Sequence, residues 1–140
     1  MTQEEKQLLL RGLCARLPYK LMCNVTDYTA EREEDENFDA CLLSIERTDS
    51  GGYATFRGAA PEYPVWHNLQ QLIKPYLRPM SSMTDEEKKE FEEVKQSYYF
   101  DEDGYILQDW LNKNMFDYRG LIEKGLAIEA PEGLYKFNEK

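Results

Sequence analysis

Histidine and cysteine are scarce in this chain of 140 residues, which contains one histidine and three cysteines. A structural zinc site needs four Cys or His ligands, and Cys14, Cys23 and Cys41 do not form a C-x-x-C motif. The sequence therefore predicts no metal site. We expect the three cysteines to be reduced thiols that pack as small hydrophobic side chains.

A long apolar run is also missing. Near the N-terminus the longest apolar run is residues 8–10, whereas a membrane-spanning helix needs about 20 such residues. The same region lacks the basic start and apolar stretch of a secretory signal. We therefore expect a cytoplasmic protein without a membrane partner.

Basic residues are too few to balance the acidic ones. Lysine and arginine number 17 against 27 aspartates and glutamates, so the net charge is -10. Because nucleic acids and anionic membranes are polyanions, this charge disfavours direct binding to either of them. Hydrophobic residues make up 41% of the chain, which indicates a folded core rather than a disordered chain.

Signatures of catalysis are missing as well. His67 is the only histidine, and no nucleophile-elbow or cysteine-protease motif accompanies it. The pair Gly51-Gly52 has the spacing of neither a dinucleotide-binding loop nor a P-loop. We therefore predict no catalytic residue and no cofactor. A non-enzymatic role is favoured, although the sequence leaves enzymatic activity open.

Residues 101–106 resemble part of a calcium-binding EF-hand loop. Aligning Gly104 with the glycine of that loop puts two aspartates at ligand positions. The first and twelfth ligand positions then fall on Tyr99 and Trp110, which cannot bind calcium. We therefore predict an acidic turn between two helices.

Two capping boxes predict where helices begin. Residues 2–5 and residues 84–87 both have the T-x-x-E pattern, in which the first and last side chains bond to each other's backbone. Apolar residues at helical spacing follow each box, so we predict helices over residues 3–17 and 85–97. Pro18 ends the first of these helices.

The segment between these helices has the composition of β-structure. Strands are predicted at residues 19–25, 38–46 and 53–57, where β-branched, aromatic and apolar residues are frequent. The turn-forming residues 49–52 predict a hairpin between the last two strands. We also predict a short helix over residues 66–73.

The C-terminal part is predicted to be mainly helical. A third helix is predicted around residues 106–111, and Asp117 is predicted to cap a fourth that ends at Gly125. Residues 126–128 and 134–137 then flank a turn and predict a small hairpin.

The fold class is therefore α+β, with an N-terminal helix, a small antiparallel β-unit, and a helical C-terminal part ending in a β-hairpin. We predict a single domain over residues 1–140. A sub-boundary within it would fall near residues 79–83, between the β-unit and the helical part.

Lys74, Tyr76 and Arg78 form the first candidate binding surface. They alternate along a segment that its prolines keep extended, so all three point to one side. Tyr and Arg are frequent at the energetic centres of protein interfaces. The segment is predicted to be an edge strand or a link. Either the three side chains dock a protein partner, or Tyr76 packs internally while the cations cover neighbouring acids.

An acidic helix is the second candidate surface. Residues 79–104 contain nine acidic and three basic residues. Their exposed acids could imitate the phosphates of a nucleic acid, and the residues of that face are Glu86, Glu90 and Glu93. Three lysines interrupt the face, which is typical of an ordinary solvated helix with internal ion pairs.

Three stretches of the sequence resemble a known group of proteins. They are MTQEEKQLLLRGLCARLPY (1–19), IKPYLRPMSSMT (73–84) and WLNKNMFDYRGLIEKGLAIEAPEGLYK (110–136). All three are similar to a family of short uncharacterised proteins from gut Bacteroides-type bacteria, their phages and mobile elements. The resemblance implies a bacterial or phage setting and supplies no catalytic residue.

Together these patterns predict a non-enzymatic accessory protein of a bacterium, phage or mobile element that acts through contact with a protein partner. The alternative is an acidic inhibitor that mimics nucleic acid and blocks a DNA-handling enzyme.

Overall fold

Helices and strands follow one another in blocks along the chain. The computed structural model describes residues 1–27, 36–48, 51–58, 62–67, 70–98 and 105–135. Its helices are α1 (Gln3–Arg16), α2 (Asp85–Tyr98) and α3 (Tyr105–Lys113). Its strands are β1 (Met22–Asp27), β2 (Glu36–Thr48), β3 (Gly51–Phe56), β4 (Tyr63–Pro64), β5 (Trp66–His67), β6 (Gln70–Gln71), β7 (Ile73–Pro79), β8 (Phe116–Asp117) and β9 (Ile128–Glu129). The predicted α+β class is confirmed.

The capping box at the start of α1 is confirmed. Thr2 Oγ1 accepts a hydrogen bond from the Glu5 N–H at 3.0 Å, and Glu5 Oε1 accepts one from the Thr2 N–H at 2.9 Å. Further along the helix, Leu9 and Leu13 are fully buried in the main core. The apolar spacing therefore places α1 against one face of the sheet.

The main sheet has the strand order β4-β3-β2-β1-β7-β8, and β9 also pairs with β7. The strands from β1 to β4 are antiparallel neighbours, which confirms the predicted antiparallel β-unit. A register shift between Leu42 and Ser44 puts a bulge in β2. β5 and β6 form a separate antiparallel pair.

β7 lies inside the main sheet and is not an edge strand. Its residues 73–75 pair antiparallel with β1, and its C-terminal half pairs in parallel with β9 and β8. Parallel neighbours need a long connection, and the segment containing α2 and α3 provides the one between β7 and β8.

Side chains of β7 alternate between the two faces of the sheet. The buried positions are Ile73, Pro75 and Leu77. The positions on the other side are Lys74, Tyr76 and Arg78. The predicted common side for these three residues is therefore confirmed.

A second apolar cluster joins α2 and α3. It is centred on Met83, Leu111 and Phe116, with Phe91 and Trp110 packed beside them. The ring centroid of Trp110 lies 5.7 Å from that of Phe91 and 5.6 Å from that of Phe116. The inward face of α2 therefore packs on aromatic side chains rather than on the main core.

A buried arginine links α1 to β8. Arg16 is fully buried and donates from Nη1 to the Gly12 carbonyl at 2.9 Å and from Nη2 to the Phe116 carbonyl at 2.7 Å. Its guanidinium carbon lies 5.3 Å from the centroid of the Tyr118 ring. Burial lowers the pKa of Arg16. These bonds attach the last turn of α1 to the C-terminal part of the chain.

The helix predicted over residues 66–73 is wrong, because the described residues of this segment include β5, β6 and the start of β7. Residues 68–69 lie outside the described ranges. The Leu72 N–H donates to the Val65 carbonyl at 2.9 Å, and the Val65 N–H donates to the Gly52 carbonyl at 2.9 Å. These bonds tie the segment to β3 while Val65 and Leu72 become buried. Tertiary packing thus overrides a weak helical spacing.

The short helix predicted from Asp117 is also wrong, although the residues predicted to mark its two ends, Asp117 and Gly125, have the properties expected of such residues. Asp117 ends β8, and residues 121–125 form turns. Its carboxylate accepts hydrogen bonds at 2.9 Å from two backbone N–H groups of these turns, as a cap does. Gly120 has a φ of +75°, which interrupts a helix where it would begin. Gly125 has the same φ and lies at the end of these turns, where the predicted helix was to end.

The C-terminal β-structure is a pair of short strands with a different pairing from the predicted hairpin. β8 and β9 each pair in parallel with β7, and among the described residues they do not pair with each other. Residues 134–135, where the second arm of the hairpin was expected to begin, form bends rather than a strand. The rest of that arm, residues 136–137, lies outside the described residues.

Two further predictions concern residues outside the described ranges. They are the tip of the hairpin at residues 49–50 and the EF-hand-like segment at residues 101–104. Among the helices that the structure describes, none is long and apolar enough to cross a membrane.

Candidate functional site: the open sheet face

One face of the main sheet carries polar side chains that stay in contact with solvent. It lies opposite the buried positions of β1, β2 and β7. We call it the open sheet face, and its residues are Asn24, Thr26, Asn37, Asp39, Cys41, Leu43, Lys74 and Tyr76. All of them are half-buried or exposed, whereas their neighbours Cys23 and Val25 are fully buried.

Asn24 and Asn37 form a reciprocal amide pair on this face. The Nδ2 group of each donates to the Oδ1 atom of the other, in both cases at 2.8 Å. They lie on neighbouring antiparallel strands, where Asn37 is opposite Thr26 and also donates to its Oγ1 at 3.2 Å. The pair therefore fixes the orientation of two amides at the surface.

Asp39 connects this pair to β7. Its Oδ1 accepts hydrogen bonds from Asn24 Nδ2 at 3.0 Å and from the Tyr76 hydroxyl at 2.7 Å. Partial burial and the adjacent Asp39 carboxylate raise the pKa of Tyr76, so the hydroxyl keeps its proton and remains a donor. A hydrogen-bonded network thus crosses β2, β1 and β7.

The end of the face near the bulge in β2 is more apolar. Leu43 lies at the bulge and is 54% exposed. Beside it, the hydroxyl groups of Ser44 and Thr55 are hydrogen-bonded to each other. Tyr53 is 37% exposed and lies on the same side of β3 as Thr55. Fixed polar groups therefore adjoin an exposed leucine and an exposed tyrosine.

Arg78 lies on the same side of β7, but α2 closes over it. Its Nη1 and Nη2 donate to the two carboxylate oxygens of Glu87 at 2.8 and 2.6 Å. Its guanidinium carbon lies 4.3 Å from the ring centroid of Phe116. The side chains of Arg78 and Glu87 are only 16% and 5% exposed. Arg78 is therefore held inside the protein and does not belong to the open sheet face.

Glu87 joins this ion pair to the start of α2. The Glu87 N–H donates to Thr84 Oγ1 at 3.1 Å, and the Thr84 N–H donates to Glu87 Oε1 at 3.0 Å, which confirms the second capping box. Burial raises the pKa of the Glu87 carboxyl, but hydrogen bonds from Arg78 and Thr84 outweigh this effect and hold the pKa below its usual value. The ionised carboxylate thus fixes α2 to β7.

The structure divides the predicted surface Lys74, Tyr76 and Arg78 into two parts. Lys74 and Tyr76 lie on the open sheet face, whereas Arg78 is bound by Glu87. The interpretation in which cations cover neighbouring acids therefore describes Arg78. Docking of a partner stays a prediction for Lys74 and Tyr76.

The residues proposed for mimicry, Glu86, Glu90 and Glu93, are exposed on α2. Glu90 Oε2 accepts a hydrogen bond from Trp110 Nε1 at 3.3 Å, so this carboxylate also has a contact within the protein. Elsewhere on α2, two lysines form i,i+3 ion pairs with acidic residues. Such pairs are typical of a solvated helix face. Mimicry stays a prediction.

In the described part of the chain, no group of three His, Cys, Asp or Glu side chains could hold a metal ion. Cys23 is buried and Cys41 half-buried, whereas Cys14 is exposed on α1, contrary to the expected packing. The side chain of His67 lies outside what the structure describes.

Asn24, Asn37 and Asp39 were not among the site residues predicted from the sequence. Their signal is a polar residue at alternate positions, in N-V-T at residues 24–26 and in N-F-D at residues 37–39. This alternation is typical of strands with one buried and one solvated face. Two such segments on adjacent strands indicate a polar network on the solvated side.

No family model matches this chain, and neither a curated protein nor a solved structure is significantly similar to it. What the open sheet face binds must therefore follow from its own geometry and chemistry.

Proposed function

We propose that this protein is a non-enzymatic accessory factor of a bacterium, phage or mobile element, and that it binds a partner protein through the open sheet face. One observation carries the proposal. The polar groups of Asn24, Asn37, Asp39 and Tyr76 are fixed by hydrogen bonds and yet remain at the surface.

Fixed polar groups favour binding because immobilising a side chain costs entropy. The cost at a protein interface is about 0.5–1.5 kcal/mol for each side chain that must be ordered. Asn24 and Asn37 already hold each other in the free protein, so much of this cost does not arise on binding. Their amide oxygens and the Asp39 carboxylate have further lone pairs that N–H groups of a partner can use.

The composition of the face suits a reversible contact with a folded protein. Such interfaces are about as polar as the rest of a protein surface and are rich in tyrosine. Of the residues on the open sheet face, only Asp39 and Lys74 are charged. Hydrogen bonds and apolar contact at Leu43 should therefore dominate binding, and the complex should persist at high salt.

The biological setting rests on the resemblance of the sequence to short proteins from Bacteroides-type bacteria, their phages and mobile elements. A cytoplasmic location belongs to the same proposal. The proposed function is non-enzymatic because the fixed groups of the face form a contact surface. These groups do not place a nucleophile beside a general base and an oxyanion-binding site.

The test is affinity capture from a nuclease-treated lysate of a Bacteroides-type bacterium with three forms of the protein. Wild type is compared with Leu43→Arg, which places a charge on the open sheet face, and with Tyr105→Arg. Tyr105 lies on α3 and is 63% exposed, so its substitution is a matched control outside the face. Thermal unfolding of each form shows that the fold is intact.

We expect one stoichiometric protein that wild type and Tyr105→Arg retain at low and high salt and that Leu43→Arg loses. The proposal is wrong if Leu43→Arg retains every protein that wild type captures. It is also wrong if the captured protein is a basic DNA-handling enzyme that dissociates at high salt. That second result would favour mimicry by Glu86, Glu90 and Glu93.

A further inference from the structure

A polar cleft of about 570 Å³ lies at the margin of the open sheet face. Small-molecule sites have volumes of about 300–1,000 Å³, so the cleft is large enough for a metabolite. Its lining comes from Met1 and the start of α1, from β1, β6, β7 and β9, from Leu72 between β6 and β7, and from residues 124–126.

The cleft concentrates positive charge in an acidic protein. Lys74 and Lys124 line it from two different elements, and Glu5 is the single acidic residue of the lining. Hydrogen bonds from Thr2 and the charge of Lys124 lower the pKa of Glu5, whose carboxylate is held in the capping box. Among the described residues, neither lysine has an ion-pair partner within 4.0 Å.

The walls of the cleft are fixed by hydrogen bonds. Gln71 Nε2 donates to the Ile73 carbonyl at 2.8 Å and to the Leu126 carbonyl at 2.7 Å, which ties the turns to β7. Asn24 and Thr26 add an amide and a hydroxyl group that the network on the open sheet face already orients. Leu126 contributes apolar surface.

We propose that this cleft binds a small molecule that carries an oxyanion, either a carboxylate or a phosphate. The ammonium groups of Lys74 and Lys124 recognise the anion through charge-assisted hydrogen bonds. The amide and hydroxyl groups of the wall bond to the uncharged polar part of the ligand. This inference goes beyond the proposed protein contact and does not depend on it, because no partner protein is needed.

The test is an NMR titration of the full, ¹⁵N-labelled chain with four probes. Succinate and citrate form the carboxylate arm, and inorganic phosphate and adenosine monophosphate form the phosphate arm. The variants are Lys74→Gln, Lys124→Gln and the control Lys113→Gln, whose lysine is exposed at the end of α3 and does not line the cleft. Leu43→Arg is included because it alters only the proposed protein contact.

We expect saturable shifts of the backbone amides of Thr26, Leu72 and Leu126 in at least one arm, and that arm identifies the oxyanion. Affinity should fall about tenfold in Lys74→Gln and in Lys124→Gln, while Lys113→Gln and Leu43→Arg bind as wild type does. The proposal is overturned if no probe gives saturable shifts at these amides. It is equally overturned if both cleft variants, with unchanged spectra in the absence of probe, bind like wild type.

Discussion

Tyr76 and Arg78 lie two residues apart on the same side of one strand, yet their surroundings are opposite. α2 closes over Arg78, whose guanidinium group is held between Glu87 and the Phe116 ring. Tyr76 stays half-buried on the open sheet face and donates to the exposed Asp39. Both residue types are frequent at interfaces, so what packs over the strand decides which of them can meet a partner.

The two environments contribute differently to stability. A buried ion pair is favourable only while both partners are present, because each ion alone would carry a desolvation cost of several kcal/mol. An exposed hydrogen bond competes with water and contributes about 0.5–1.5 kcal/mol. The Arg78 end of β7 should therefore stabilise the fold, while the Tyr76 end should tolerate substitution.

Removing Arg78 should have the largest effect. Arg78→Ala leaves Glu87 buried without its ion-pair partner, so the free energy of unfolding should fall by about 3 kcal/mol. Urea unfolding measures this loss. Lys89→Ala, at an exposed position on α2, is the control and should change stability by less than about 0.5 kcal/mol. Equal stability of Arg78→Ala and wild type would contradict the structural role of the ion pair.

The pH dependence of the free energy of unfolding, compared between wild type and Glu87→Gln, also tests the ion pair at the Arg78 end of β7. The folded protein lowers the pKa of Glu87, so its carboxylate stabilises the fold above the ordinary glutamate pKa of about 4.3. Protonation removes this contribution as the pH falls through the lowered pKa. Urea unfolding should show the largest difference between wild type and Glu87→Gln near neutral pH. A difference that stays constant down to about pH 3 would count against the ion pair.

Tyr135→Phe should have an intermediate effect. The Tyr135 hydroxyl accepts from the Met22 N–H at 2.9 Å and donates to the Tyr76 carbonyl at 2.8 Å, so it joins β1 to β7. Losing both bonds should cost about 1–2 kcal/mol in thermal unfolding. Tyr105→Phe, at an exposed position, is the matched control and should leave the midpoint unchanged. If the two variants unfold alike, the hydroxyl does not hold the strands together.

Tyr76→Phe should have the smallest effect. It removes the hydroxyl donated to Asp39, but water can replace this exposed bond, so the loss should stay below about 1 kcal/mol. The same urea series measures it. A loss as large as that of Arg78→Ala would remove the difference between the two ends of β7.

Signals that act over a few residues predicted the start of each of the first two helices. Both capping boxes are confirmed, because their hydrogen bonds join residues three apart and depend only on local spacing. The helix predicted over residues 66–73 failed for the opposite reason. The N–H groups of Leu72 and Ile73 donate to the Val65 carbonyl, and the Val65 N–H in turn donates to the Gly52 carbonyl of β3. No local spacing reveals these pairings.

The candidate site depends on contacts between distant parts of the chain. Asn24 and Asn37 meet only because β1 and β2 pair in one particular register. Whether Arg78 is buried depends on where α2 lies after the turn that follows β7, because Glu87 of α2 binds its guanidinium group. Alternation along β7 therefore predicted the shared side of its three polar residues, whereas their burial could not be predicted from the sequence.

In the proposed complex the open sheet face contacts the partner, whereas the Arg78 end of β7 and the acidic helix do not. An NMR spectrum of the ¹⁵N-labelled protein bound to the captured partner tests it most directly. We predict shifts in the side-chain amide signals of Asn24 and Asn37 and in the backbone amide of Leu43, with unchanged signals for Glu86 and Glu90. Shifts confined to α2, with the two asparagine signals unchanged, would show that the partner binds α2 and not the open sheet face.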